Sequence, residues 1–101
     1  VEITEVRVTL REEDKLKAFA NITFDNAFVI RGLKIINGAR GFFVSMPSRR
    51  RPDGSHQDIA HPINADMRRE IERRVLDAYE ERVKNFAGVF SDRQDSSEEL
   101  Y

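Results

Sequence analysis

The chain has no cysteine and no tryptophan in its 101 residues. The first absence removes disulfide staples, thiolate nucleophiles and cysteine-held zinc at once. Proline and glycine are sparse, three and five in all, which excludes collagen-like and low-complexity architectures and gives each of these residues positional meaning. No apolar run approaches the roughly 18 residues needed to cross a bilayer. Neither charge dominates: 17 Lys and Arg stand against 18 Asp and Glu, for a net charge of −1. A hold on nucleic acid by bulk electrostatics is therefore excluded, and any such contact must come from a local patch. The opening stretch carries Glu2 and Glu5 where a secretory signal would place basic residues before an apolar segment, so the expected compartment is the cytoplasm.

What is present is a soluble-domain composition, 40% hydrophobic and 35% charged. A domain of this size buries only about two thirds of its unfolded surface, so a second subunit would add useful core. Val6, Val8 and Leu10 alternate with Glu5, Arg7 and Thr9, the two-residue period of a half-buried strand. The period returns in Leu16, Ala18, Ala20, Ile22 and Phe24, and Asp25-Asn26 supplies turn chemistry. A third strand runs from Phe28 towards Ile36, with a parity change at Gly32 that predicts a β-bulge. Asn37-Gly38 is expected to turn the chain into a fourth strand, Phe42 to Met46.

Pro47 should end that strand, and Arg51-Pro52-Asp53-Gly54 fits a type I turn, with a short strand to follow at Gln57 to Ala60. Asn64 is a good N-cap for a long helix whose Met67, Ile71, Val75, Ala78, Tyr79, Val83 and Phe86 form one apolar stripe. The expectation is an α+β fold: an antiparallel meander of four to five strands on one C-terminal helix. One domain spans 1–90, and 91–101 is polar and acidic, which predicts a flexible tail.

Met46-Pro47-Ser48-Arg49-Arg50, then Pro52-Asp53-Gly54, then Asp58-Ile59-Ala60-His61-Pro62-Ile63-Asn64 together resemble the signature stretch of the stage V sporulation protein G (SpoVG) family. The resemblance extends from Val1 to about Phe86. It implies a bacterial protein linked to septation and, in hosts that sporulate, to sporulation, in a family with DNA- and RNA-binding regulators.

Arg49, Arg50 and Arg51, with Arg40 nearby in sequence, are the expected nucleic-acid contacts. From Arg40 to Pro52 there are four basic and no acidic residues. Guanidinium groups grip phosphate bidentately and stay charged. The competing reading is a solvated loop whose arginines pair with carboxylates of the same subunit. Alternation along an extended chain pairs Arg49 with Arg51. Helix cations such as Arg74 have carboxylates four residues away and are expected to be ordinary salt-bridged surface. Phe42 and Phe43 are expected in the core or a subunit seam.

His56, Asp58 and His61 hold metal-ligand chemistry, but His61 precedes a proline and the helix cap and is expected to be a structural hydrogen-bonder. No nucleophile elbow or glycine-rich loop accompanies Ser45, Ser48 and Ser55, so neither an enzyme nor a cofactor is expected. A sheet apolar on both faces with one helix to cover it predicts a homodimer joined through Val29, Ile36 and Phe43. The expected function is a non-enzymatic DNA- or RNA-binding homodimer. The alternative is an adaptor for a division or regulatory protein.

Overall fold

The computed structural model of the chain describes residues 1–11 and 13–90, with side chains described as far as residue 85. Alternating apolar residues build β1 (Ile3–Leu10), β2 (Leu16–Phe24), β3 (Phe28–Gly38) and β4 (Gly41–Ser45), one antiparallel sheet in the order β1-β2-β3-β4. A separate two-stranded ribbon, β5 (Ser48–Arg50) and β6 (His56–Asp58), precedes the helix α1 (Ala65–Phe90). The α+β meander with one C-terminal helix is thus the observed fold. The acidic tail expected over 91–101 lies outside the described residues.

The turns show how local chemistry sets the register. Asp25 and Asn26 both adopt left-handed backbone, φ 52° and 51°, a conformation these two residue types tolerate better than most. Ala27 N–H donates to the Phe24 carbonyl at 2.9 Å and closes the turn. The bulge falls at the predicted place. Arg31 and Gly32 together oppose Asn21, Gly32 has φ 88°, and Asn21 Oδ1 accepts from its amide at 3.3 Å. The extra residue changes parity, so Ile30 and Leu33 both face the helix.

One turn differs from expectation. β3 runs on through Asn37 and Gly38, Gly38 pairs with Gly41, and Ala39-Arg40 forms the turn. Turning at Asn37-Gly38 would place Arg40 opposite Ile35, which is fully buried. The observed register sets Val44 against Ile35 and leaves Arg40 exposed at the tip.

The helix begins where its cap predicts: Asn64 Oδ1 accepts from the Met67 amide at 2.8 Å, and Asp66 faces the positive end of the dipole. Ile71 and Val75 are buried against Ile22, Leu33 and Ile35 in one core cluster, each such side chain contributing roughly 1.5–3 kcal/mol over exposure. Arg74 ties the helix to β1, its Nη1 donating to the Ile3 carbonyl at 3.1 Å. At the other end Phe42 meets Tyr79 edge to face, with centroids 5.4 Å apart. The apolar stripe outruns this support. Twenty-six residues make about 39 Å of helix, and Val83, one turn past Tyr79, is 40% exposed.

Candidate nucleic-acid interface

The arginine run is not in a loop but in a β-ribbon arm. Buried Met46 anchors the end of β4, and the Pro47 carbonyl accepts from the Ile59 amide at 2.7 Å, so the chain leaves and re-enters at one point. Between them Ser48 pairs with Asp58, Arg49 with Gln57 and Arg50 with His56. The tip is closed twice: Arg51 N–H donates to the Ser55 carbonyl at 2.7 Å, and Gly54 N–H donates to the Arg51 carbonyl at 2.9 Å. Gly54 takes φ 93°, the left-handed position that follows a type I turn in three-residue hairpin loops. Asp53 Oδ1 accepts from the Ser55 hydroxyl at 2.7 Å and the Ser55 amide at 2.9 Å. These two bonds hold the Asp53 carboxyl below its ordinary value.

All residues of the arm from Arg49 to Ile59 are exposed. Cross-strand pairing puts Arg49 and Arg51 on one side of the ribbon, and Arg50 on the other beside His56. Arg49, Arg50 and Arg51 form no ion pair with a described carboxylate. Three of the helix arginines behave oppositely: Arg69 pairs with Asp66, and Arg73 and Arg74 with Glu70. Asp53, the nearest acid in sequence, is committed to Ser55. The arm therefore holds three guanidinium groups whose phosphate-binding edges are open.

Arg40 does not join them. It sits at the β3–β4 turn while the arm leaves the far end of β4, so the five-residue strand, about 17 Å long, lies between them. His56 and Asp58 share a face of β6 as alternation requires, but His61 lies beyond the ribbon with Nδ1 3.0 Å from the Pro62 carbonyl oxygen. No group of three or more potential metal ligands converges among the described residues.

Val29, Ile36 and Phe43 all lie on the sheet face opposite the helix. Ile36 and Phe43 are direct cross-strand partners, whereas Val29 stands towards the other end of β3, with Arg31 and Lys34 between. Phe42 and Phe43 take opposite faces of β4: Phe42 meets Tyr79 on the helix side and is still 44% exposed, and Phe43 is 45% exposed on the outer face. An apolar groove of about 350 Å³ opens between the β2–β3 turn and the start of the helix, lined by Phe24, Phe28, Met46, Pro62 and Met67 among others. Ile63, beside it, is 88% exposed. The sequence reading missed this groove because its walls come from segments distant along the chain.

Residues 1–81, from β1 through most of the helix, match the SpoVG family model. The chain belongs to the SpoVG family. Among its relatives, a Myxococcus xanthus protein named "Putative septation protein SpoVG" is 56% identical over 78 residues, covering 77% of this chain and 79% of the relative. A protein of the same name from Anaeromyxobacter dehalogenans is 52% identical over 89 residues, 88% of each chain. Another from Bdellovibrio bacteriovorus is 49% identical over 85 residues, 84% of this chain and 79% of the relative. The SpoVG match includes the whole ribbon arm and stops short of the helix overhang. Among the described residues no helix is long and apolar enough to cross a membrane.

Proposed function

We propose that this SpoVG-family chain is a non-enzymatic nucleic-acid-binding regulator of septation, and of sporulation in hosts that sporulate, which grips phosphates through its ribbon arm. The carrying observation is the arm itself: Arg49, Arg50 and Arg51 are exposed, without a described carboxylate partner, on a ribbon that stands clear of the core. A two-stranded ribbon is narrow enough for the major groove of a duplex. Septation comes from the names its relatives carry.

Two copies acting together would double a modest patch and gain avidity on one nucleic acid. We assign the groove to the second copy, because a protruding apolar residue, Ile63, stands beside an apolar cavity. A two-fold contact brings one copy's protrusion to the other's cavity and the reverse.

Selection from random DNA and RNA pools at two salt concentrations, with wild type and an Arg49→Ala/Arg51→Ala variant, tests the reading. Enrichment lost in the variant supports it. Absence of enrichment at low salt, with a division protein co-purifying after nuclease treatment, assigns the chain to the adaptor class instead.

A further inference from the structure

The sheet face turned away from the helix has a composition that neither a core nor a simple solvated surface requires. Its outward positions carry Arg7, Lys17, Arg31 and Lys34 against a single acid, Glu5, which pairs with Arg7 at 2.8 Å. Arg31 and Lys34 are exposed and form no ion pair among the described residues. Two aromatic rings lie among these cations. Phe43 on β4 is 45% exposed, and Phe19 on β2 is half-buried beneath the Arg11 guanidinium, 5.3 Å from the ring centroid. Phe19 is the cross-strand partner of Lys34, and Phe43 that of Ile36.

Two strand spacings and one two-residue step separate Phe19 from Phe43, roughly 12 Å between α-carbons. That suits bases splayed from one strand, not a stacked duplex. Open sheets that present aromatics between cations bind unpaired bases by stacking, with the backbone running over the charges. The parity change at Gly32 brings Lys34 to the same face as Arg31, and Ser45, next to Lys34 across the strands, offers a hydroxyl that can meet a ribose 2′-OH.

From this arrangement we propose that the outer face of the β1–β4 sheet is a second nucleic-acid site, a stacking platform for single-stranded RNA centred on Phe43 and Lys34. It rests on the reading of the chain as a nucleic-acid binder but not on the arginine arm. A subunit seam through Val29, Ile36 and Phe43 is the other occupant such a face could take. A two-fold seam there would bring a second set of Arg31 and Lys34 into the same interface, and uncompensated like charges oppose it.

The experiment is fluorescence anisotropy with labelled oligo(U), oligo(dT) and a short duplex of equal length, on wild type, Phe43→Ala, Lys34→Glu and Arg49→Ala/Arg51→Ala, each also sedimented for its oligomeric state. Phe43 is 45% exposed, so its variant should fold, and circular dichroism is the check. The platform predicts that Phe43→Ala and Lys34→Glu each weaken oligo(U) binding roughly tenfold and leave duplex affinity within about twofold, while the arginine variant chiefly loses the duplex. Unchanged oligo(U) affinity in both face variants overturns the platform, as does a wild-type dimer that Phe43→Ala converts to monomer without loss of oligo(U). Tighter binding of oligo(dT) than oligo(U) overturns the assignment to RNA. Loss of oligo(U) in the face variants with an unaffected duplex in the arginine variant upholds the platform and removes the arm.

Discussion

Gly38 lies beneath the ring of Phe43: a β-carbon at position 38 would stand 2.9 Å from Phe43 Cε1 and 3.2 Å from Cδ1. The missing side chain is what allows the ring to lie along the outer face of the sheet. Gly38 has no left-handed φ, so substitution there strains a contact and not the backbone.

Gly38→Ala should therefore keep the fold and move the ring. The expected thermal midpoint falls by no more than about 4–8 °C, because an aromatic side chain free on one side relaxes at a cost of about 1 kcal/mol or less. The NMR shifts of the Phe43 ring protons should change clearly. Unchanged ring shifts would contradict the contact.

Asn64→Ala removes the acceptor of the Met67 amide. Loss of such a cap costs roughly 0.5–2 kcal/mol, and a domain near 100 residues loses about 4–8 °C in midpoint per kcal/mol. Thermal unfolding by circular dichroism checks this, and Asn64→Asp should retain most of the stability because its carboxylate accepts the same bond.

Ser55→Ala deletes the largest of the hydrogen bonds that depress the Asp53 carboxyl. The Asp53 pKa should rise towards its ordinary value of 3.8 when followed by NMR titration. The sign for stability follows from the direction of the shift. A carboxyl lowered in the folded state adds stability above its unfolded pKa, and that stability is lost as pH falls through the lowered value. In wild type the arm's tip should thus loosen only in acid below the ordinary carboxylate range, seen as altered amide shifts at Arg51 and Gly54. The tip of Ser55→Ala should be less ordered already at neutral pH.

Ile63→Asp should weaken self-association without unfolding the chain, since this side chain is 88% exposed. Sedimentation equilibrium is the measurement. A wild-type dimer and a variant monomer are expected, and a variant that dimerises as tightly as wild type moves the contact away from the groove.

The strands were legible because each buries one face, so Val8, Ala20, Ile22 and Ile35 stand at two-residue steps within their strands. Gly32 and Asn64 were legible because a parity change and a capping side chain leave local marks. The arm was only half legible. Arg51-Pro52-Asp53-Gly54 read correctly as a turn, but Ser48 to Arg50 bury no apolar side chain, and a strand with no apolar face has no alternation to find. The Asn37-Gly38 turn misled because burial of Ile35, a tertiary matter, outweighed local turn preference. The grouping of Arg40 with the arm failed because nearness in sequence does not reveal that β4 carries the two apart. That Phe42 meets Tyr79 while Phe43 takes the outer face, both more than two-fifths exposed, was hidden until β4 had been placed at an edge of the sheet.

The central claim, that the arm's arginines grip phosphate, is tested most directly by the salt dependence of binding to one selected nucleic acid. Each phosphate contact contributes a slope of about −0.9 in log affinity against log salt on duplex DNA. Arg49→Ala/Arg51→Ala should lower the affinity and flatten the slope by about 2 per protomer bound, in proportion to the contacts removed. An unchanged affinity and slope in that variant would contradict the account.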